Sequence, residues 1–342
     1  MNTKENVLAT LEGKNPEWIP RQKWALEWAS LQYPVAVQKI SKMYPDDIGG
    51  VSVEYSQPSV VEKGNINAVG DYIDPWGCKF INLQKGVIGE VKEPLVKCDE
   101  WSDVDNVHIP EEWLSFDVEA VNKSYAEING KQFIIAGACP RPFEQLQFIR
   151  GTENFYIDLM MRPKRMMEFI EIMHDFYCRL TRKWAETDVD ALHFMDDWGS
   201  QNSLLVNPKI WREIFKPMYK DYVEIAHKAG KKMFMHSDGY ILEIYPDLIE
   251  IGVDALNSQI FCMGIDNVAQ FKGDITFWGE IDRQNLLVSA SVQDVEDAVK
   301  EVYSKLWSNG KCIAQCEFGP GAKPENVEAV YRTWQTVSDS IC

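Results

Sequence analysis

Residues 191–197 read ALHFMDD, and residues 232–238 read KMFMHSD. Each stretch is a short apolar run followed by acidic side chains, and the segment between them has the length and pattern of a long helix. Short apolar strands that alternate with helices are typical of parallel sheets whose faces are covered by helices. The two stretches therefore predict neighbouring parallel strands with polar residues at their carboxyl ends.

The same alternation continues over most of the chain. Further apolar runs lie at residues 51–55, 79–82, 133–137, 253–257, 275–278 and 311–314. Seven or eight strands after residue 48 match a (β/α)8 TIM barrel, which takes roughly 250 residues. We predict an α/β TIM barrel over residues 48–342 with a helical N-terminal extension over residues 1–47, helical at 21–44, in one domain. An open doubly wound sheet is the alternative, but the sequence lacks its usual Gly-rich phosphate loop.

Composition and charge exclude several classes of protein. The 342 residues include 52 acidic and 35 basic side chains, which gives a net charge of −17. Nucleic-acid binding requires a basic surface, so we expect no nucleic-acid partner. The sequence has neither an apolar run of membrane-spanning length nor a secretory leader, so we expect a cytoplasmic protein without a membrane anchor. The eight cysteines are scattered and form no CxxC pair, which indicates free thiols, some of them candidate metal ligands.

Function in a TIM barrel gathers where strands end, so polar residues directly after the apolar runs are the candidates. His236 and Asp238 are two residues apart, face the same side of an extended backbone and could share one metal ion. The alternative is a buried histidine followed by a helix-capping aspartate. Cys316 follows the last run. A lone cysteine is usually a small core residue, but His, Cys and one carboxylate form an acceptable catalytic zinc set with an open fourth position.

Two further positions carry carboxylates. The adjacent Asp196 and Asp197 could orient a substrate or act as acid and base. The alternative is that one of them caps a helix and the other is solvated. Glu280 follows the run at 275–278 and is a further candidate ligand or proton donor.

Longer motifs occur in a fixed order along nearly the whole chain. They read DPWGC at 74–78, GEV at 89–91, DDWGSQ at 196–201, HSDG at 236–239, GEID at 279–282 and PEN at 324–326. This order resembles the uroporphyrinogen-decarboxylase-like superfamily, and the wording at 196–201 and 236–239 is most similar to its corrinoid-dependent O-demethylase methyltransferases. The resemblance implies a TIM barrel, in agreement with the strand count.

The resemblance also implies a zinc site and a reaction. The methylcobamide:coenzyme M members hold zinc with a His-x-Cys pair and a later Cys placed eight residues before a Pro/Leu-Glu-Asn segment. His236 and Cys316 match two of these positions, and Asp238 replaces the middle Cys, so Asp238 or Glu280 is the third ligand. The implied reaction moves a methyl group from a small donor, an aryl methyl ether, to the Co(I) of a separate corrinoid (cobalamin) protein. Asp196, Asp197 or Glu280 would orient the donor or deliver a proton.

Other functions are also compatible with the sequence. The decarboxylases that name the superfamily bind a substrate with eight carboxylates and carry an Arg-rich N-terminal signature. Residues 21–26 read RQKWAL and depart from that signature, and the chain has only ten arginines. Decarboxylation therefore ranks second. A non-catalytic corrinoid- or substrate-binding relative, methyl transfer in the reverse direction, and a homodimer are also left open.

Overall fold

The computed structural model describes residues 1–137 and 139–341. Its strands are β1 (Arg21–Ala25), β2 (Ile48–Gly49), β3 (Gly70–Ile73), β4 (Lys79–Asn82), β5 (Glu90–Glu93), β6 (Phe133–Ile134), β7 (Ala191–Met195), β8 (Lys232–Ser237), β9 (Ala255–Ser258), β10 (Thr276–Trp278) and β11 (Cys312–Phe318). Its α-helices are α1 (Thr3–Glu12), α2 (Glu27–Gln32), α3 (Pro34–Met43), α4 (Val118–Ile128), α5 (Pro142–Arg150), α6 (Thr152–Met161), α7 (Lys164–Ala185), α8 (Pro208–Lys228), α9 (Tyr245–Ile251), α10 (Ile260–Met263), α11 (Ile265–Val268), α12 (Leu286–Ser289), α13 (Val292–Leu306) and α14 (Pro324–Ser338).

Eight of the strands close a parallel barrel. Six of them are hydrogen-bonded in the order β1-β11-β10-β9-β8-β7, with all pairs parallel. β2 pairs with β6, and the Asp47 amide donates to the Arg21 carbonyl oxygen at 2.9 Å, which joins β2 to β1. A parallel bridge between Ile135 and Ala191 joins β6 to β7. The predicted TIM barrel is confirmed, and the open-sheet alternative is not what forms.

The first barrel strand lies where the sequence predicts a helix. Residues 21–25 form β1, so the helix prediction for 21–44 is wrong over its first five residues, and the barrel takes a strand from the predicted extension. Arg, Gln, Lys and Ala all favour helices locally, but such preferences are worth only a few tenths of a kcal/mol each. Pairing along the whole length of β11 outweighs them. The rest of the region is helical, as α2 and α3.

Two predicted barrel strands belong to an insertion between β2 and β6. Residues 51–55 lie outside the strands, and residues 79–82 form β4, the centre of an antiparallel sheet ordered β3-β4-β5. In β4, Phe80 and Asn82 are buried while Lys79 is exposed, as expected for a sheet with one solvated face. The insertion follows β2, so it rises from the carboxyl-terminal face of the barrel, where TIM barrels place their sites.

The opposite end of the barrel is closed by α1. Val7 and Leu11 of this helix belong to the interior cluster formed by Ile48, Phe133, Ala191, Phe234, Ala255, Trp278 and Ile313. A second, larger cluster lies between the barrel and its helices. No helix of the described residues is long and apolar enough to cross a membrane. Because apolar side chains fill the barrel interior and α1 covers its amino-terminal end, a functional site is expected at the carboxyl-terminal face.

Candidate metal centre and active site

His236 stands near the end of β8 with its ring oriented by Asn257 of β9. Its Nδ1 lies 2.6 Å from Asn257 Oδ1. The Asn257 amide nitrogen donates to the Trp278 carbonyl oxygen and to Gln315 Oε1, at 2.5 and 3.0 Å. Because both amide hydrogens are engaged, Asn257 Oδ1 must accept a hydrogen bond, which places a proton on Nδ1. In the neutral ring, Nε2 therefore presents a lone pair.

Two carboxylates face His236 Nε2. Asp238 Oδ1 lies 3.5 Å from this nitrogen, and Asp197 Oδ1 lies 3.6 Å from it. The Asp238 amide donates to Asp197 Oδ1 at 2.9 Å, which links the ends of β7 and β8. Asp238 Oδ1 is buried and has no hydrogen-bond partner among the described residues. Two carboxylate oxygens and an imidazole nitrogen this close together are stabilised by a positive charge between them, which a proton on Nε2 or a metal ion supplies.

This donor set fits a divalent metal ion. The three ligand atoms lie within 4.8 Å of one another. In a tetrahedral site with bonds of about 2.0–2.1 Å, neighbouring ligand atoms are about 3.3 Å apart, close to the two separations from Nε2. One imidazole nitrogen and two carboxylate oxygens are ligands that zinc accepts, with the fourth position left open. Asp197, His236 and Asp238 would hold the ion, and Asn257 makes the outer hydrogen bond that metal-binding histidines usually have.

Cys316 lies outside this group. Its Sγ packs 3.5 Å from the Tyr331 hydroxyl of α14, in the layer between barrel and helices, where burial raises the pKa of the thiol to about 12. Successive side chains of a strand point to opposite faces, so Glu317 turns to the mouth and pairs with Arg283 at 3.0 Å. The prediction that Cys316 is a zinc ligand is therefore wrong. Because side chains alternate along β11, Glu317 faces the mouth and the Cys316 thiol faces the helices.

Arg283 joins three acidic side chains beside the candidate metal centre. Its guanidinium contacts Asp238 Oδ2 and lies 3.0 Å from Glu317 and 3.5 Å from Glu280. Glu280 is almost fully buried, and burial raises the pKa of its carboxyl well above the ordinary value. Of the two alternatives for the third ligand, the structure brings Asp238 to His236, whereas Glu280 reaches the centre only through Arg283.

Asp196 has a structural role, because it accepts hydrogen bonds inside the protein. Oδ2 accepts hydrogen bonds from the Phe143 amide at 3.0 Å and the Tyr219 hydroxyl at 2.6 Å, and Oδ1 accepts from the Glu144 amide at 2.8 Å. The side chain is fully buried and satisfies amides at the start of α5, as acidic caps do. This differs from the predicted catalytic role, because no oxygen is left to face a substrate. Asp197, the next residue, is the one that reaches the mouth.

A cavity of about 650 Å³ opens beside Asp197, between the barrel and the insertion. Its two principal polar residues, Glu144 and Arg141, are not among the site residues predicted from the sequence. Burial and the nearby Asp197 raise the pKa of Glu144 to about 7, and its Oε2 has no hydrogen-bond partner among the described residues. No carboxylate of residues 1–137 or 139–341 lies within ion-pair distance of the Arg141 guanidinium, which packs over the Phe148 ring. The aromatic walls are Tyr55, Tyr72, Trp76, Phe80, Trp113 and Phe148.

The orientation of His236 gives a first testable result. Asn257→Leu keeps the branching and number of side-chain heavy atoms but removes the hydrogen bond to Nδ1, so metal affinity should fall by about 10–100-fold. Competition with a chelator of known affinity measures the change. Asn202→Leu, an exposed substitution in the loop after β7, is the matched control. Unchanged affinity in Asn257→Leu would show that packing against Trp24, whose ring lies 5.3 Å away, is enough to hold His236.

The chain has relatives among known protein families. The sequence model of the family described as "Uroporphyrinogen decarboxylase (URO-D)" matches residues 74–337. The chain belongs to the URO-D family. The matched region contains β4 and β5 of the insertion sheet and the site residues Asp197, His236, Asp238, Arg283 and Glu317. No curated protein sequence matches the chain.

Solved structures show the fold that this URO-D family member shares. A methyltransferase from Methanosarcina mazei superposes with a TM-score of 0.65 at 15% identity, covering 98% of this chain and 99% of that one. Weaker matches are the 3-keto-D-glucoside 4-epimerase YcjR from E. coli (TM-score 0.37, 11% identity, 64% and 83% covered) and a dihydropteroate synthase from Xanthomonas albilineans (0.30, 13%, 46% and 57%). At such identities the first match demonstrates a common fold, and the other two carry no argument.

Proposed function

We propose that this URO-D family member is a methyltransferase that moves a methyl group from an aryl methyl ether to the Co(I) of a separate corrinoid protein. The proposal includes a zinc ion held by Asp197, His236 and Asp238. The observation that carries it is this centre, where a buried Asp238 oxygen, which has no hydrogen-bond partner among the described residues, and the His236 imidazole nitrogen face each other at the barrel mouth. The likeness to the Methanosarcina methyltransferase over nearly all of both chains supports it.

The chemical difficulty is the leaving group, because an ether carbon resists attack while alkoxide or phenoxide leaves poorly. Zinc, when bound, supplies a Lewis acid for the donor oxygen. The chain's own residues fix the position of that acid. Asn257 orients His236, and the Arg283 guanidinium occupies Asp238 Oδ2, so that Oδ1 is the oxygen left for the ion.

The cavity beside Asp197 suits a small aromatic donor. Its walls carry six aromatic side chains, which stack on a ring and exclude water from the mouth. It reaches Asp197, so a donor lying against these walls can present its ether oxygen to the metal centre. The acidic surroundings disfavour a porphyrinogen with many carboxylates, since Asp74, Glu144 and Asp197 line the same space with Arg141.

We assign protonation of the leaving oxygen to Glu144, which lines the cavity together with Asp197. Because burial raises its pKa to about 7, its carboxyl is largely protonated below pH 7 and ionised above it. If the protonated form is needed, methyl transfer by the metal-loaded enzyme should slow as the pH rises through the range near 7. Glu144→Gln should lower the rate about 100-fold and abolish that step in the pH profile. A variant that keeps both the rate and the step would remove Glu144 from the reaction.

Methyl transfer can be tested directly with free cob(I)alamin as the acceptor and a methoxylated phenol as the donor. The expected products are methylcobalamin and the demethylated catechol in equal amounts, with activity lost after chelation and restored by zinc. Asp238→Asn is the inactive control. Loss of carboxyl groups from a porphyrinogen by the metal-free protein, with no methylcobalamin from any methoxylated donor, would replace this proposal with a decarboxylase. Tight donor binding without turnover would indicate a non-catalytic relative.

A further inference from the structure

A second group of metal-ligand side chains lies on the outer helices. His174 and Cys178 are four residues apart on α7, and Asp221 is on the neighbouring α8. Residues four apart lie above one another on one face of a helix, which is the spacing that helical metal sites use. None of these residues belongs to the barrel mouth, so this group is independent of the proposed function.

The three side chains converge on one point. His174 Nε2 lies 3.0 Å from Asp221 Oδ2, and Cys178 Sγ lies 3.7 Å from both ring nitrogens of His174. One ligand atom from each residue lies within 4.8 Å of the other two. On its other side, His174 Nδ1 lies 3.3 Å from the hydroxyl of the fully buried Tyr222. The ring is therefore fixed between an outer hydrogen-bond partner and two prospective ligands, as in metal-binding histidines.

Solvent exposure increases from the Cys178 sulfur to the Asp221 carboxylate. Cys178 is 4% exposed, whereas the side chains of His174 and Asp221 are 24% and 55% exposed. An ion can therefore enter from the solvent side past Asp221, while the sulfur closes the inner side. We propose that His174, Cys178 and Asp221 form a second divalent-metal site, of zinc type, that joins α7 to α8. A thiolate favours zinc or cobalt over magnesium and calcium, whose preferred ligands are oxygens.

Metal binding at this site releases a proton. For a neutral His174 ring in the metal-free protein, Nε2–H donates to Asp221, and Nδ1 accepts from the Tyr222 O–H. When Nε2 and Sγ bind the ion, the Cys178 thiol loses its proton to solvent. The ring proton is then carried on Nδ1, and the Tyr222 oxygen becomes its acceptor. One proton is released per ion bound, and no oxidation or reduction takes place.

Cobalt(II) titration of the metal-stripped full-length protein tests this site, because only a thiolate ligand gives an intense sulfur-to-cobalt charge-transfer band. The barrel-mouth centre has no sulfur among its ligands, so the band reports the outer site alone. We expect two equivalents of cobalt per chain in the unaltered protein. In Cys178→Ser we expect one equivalent and no band, and in the exposed variant Asp221→Asn at least tenfold weaker binding at the outer site.

Cys316→Ser is the control and should keep both the band and the stoichiometry. Absence of the band in the unaltered protein would overturn the second site, as would its persistence in Cys178→Ser. A band that disappears in Cys316→Ser instead would place the thiolate at the barrel mouth and also overturn it. Methyl transfer should survive in Cys178→Ser, because the barrel mouth is unchanged. The cobalt band and the methyl-transfer assay therefore test this site and the proposed function separately.

Discussion

His236→Ala should lose one zinc equivalent per chain and lower methyl transfer by more than about 100-fold, since removing a direct ligand costs at least as much as removing an outer hydrogen bond. The reason is geometric, because His236 Nε2 is the atom that both Asp197 and Asp238 face, at 3.6 and 3.5 Å. Elemental analysis and the cobalamin assay measure the two effects. In a Cys178→Ser background the zinc count refers to the barrel mouth alone.

The informative control is the residue that the family motif favours. Cys316→Ser should retain zinc and activity, because the thiol points at Tyr331 and away from the mouth. A Cys316→Ser protein that loses as much zinc as His236→Ala would show that β11 presents its sulfur to the metal, contrary to the register described here. Circular dichroism of each variant checks that the barrel has folded.

Asp158→Ala should destabilise the protein by about 3–5 kcal/mol, the usual effect of removing one partner from a buried ion pair. Asp158 and Arg150 are both almost fully buried, and the Arg150 Nε–Asp158 Oδ2 distance is 2.6 Å. Asp158 Oδ2 also accepts from Trp101 Nε1 at 2.8 Å. The substitution leaves a buried guanidinium and a buried indole N–H short of an acceptor. Urea denaturation monitored by tryptophan fluorescence measures the loss.

Asp105→Ala is the matched substitution at the surface. Asp105 pairs with Arg165 at 2.8 Å, but its side chain is 80% exposed, and exposed pairs contribute about 0–1 kcal/mol. Its unfolding midpoint should therefore stay close to that of the unaltered protein. Equal losses in the two variants would mean that Asp158 is not desolvated as the structure indicates.

The strands that are apolar throughout could be predicted from sequence, whereas β1 could not. Residues 191–195 and 232–236 could be recognised as strands because their side chains are buried or half-buried on both faces of the sheet, which requires a mostly apolar sequence. Four of the five residues of β1 favour helices, and the segment becomes a strand only because β11 and the segment after α3 lie beside it. That information is distributed over nearly the full length of the chain, where no local window can detect it.

The candidate site shows the same division. His236 and Asp238 could be found because a two-residue spacing in extended backbone gives one face. The direction in which the Cys316 side chain points could not be predicted, since a register difference of one residue exchanges the two faces of a strand. Glu144 carries no signal at all: it sits in the amphipathic run PFEQLQF, where a carboxylate would ordinarily be solvated. Only the insertion, folding over the mouth, encloses it.

The hydrogen bonds of Asn257 make the centre dependent on the assembly of the barrel. This one side chain touches His236 of β8, the backbone of Trp278 in β10 and Gln315 of β11, from its own place in β9. Four consecutive strands, spread over residues 232–318, must therefore be in register before His236 turns its free nitrogen to the carboxylates. Under the proposed zinc site, a newly made chain should acquire its metal late in maturation, and metal uptake would select correctly closed barrels from misregistered ones.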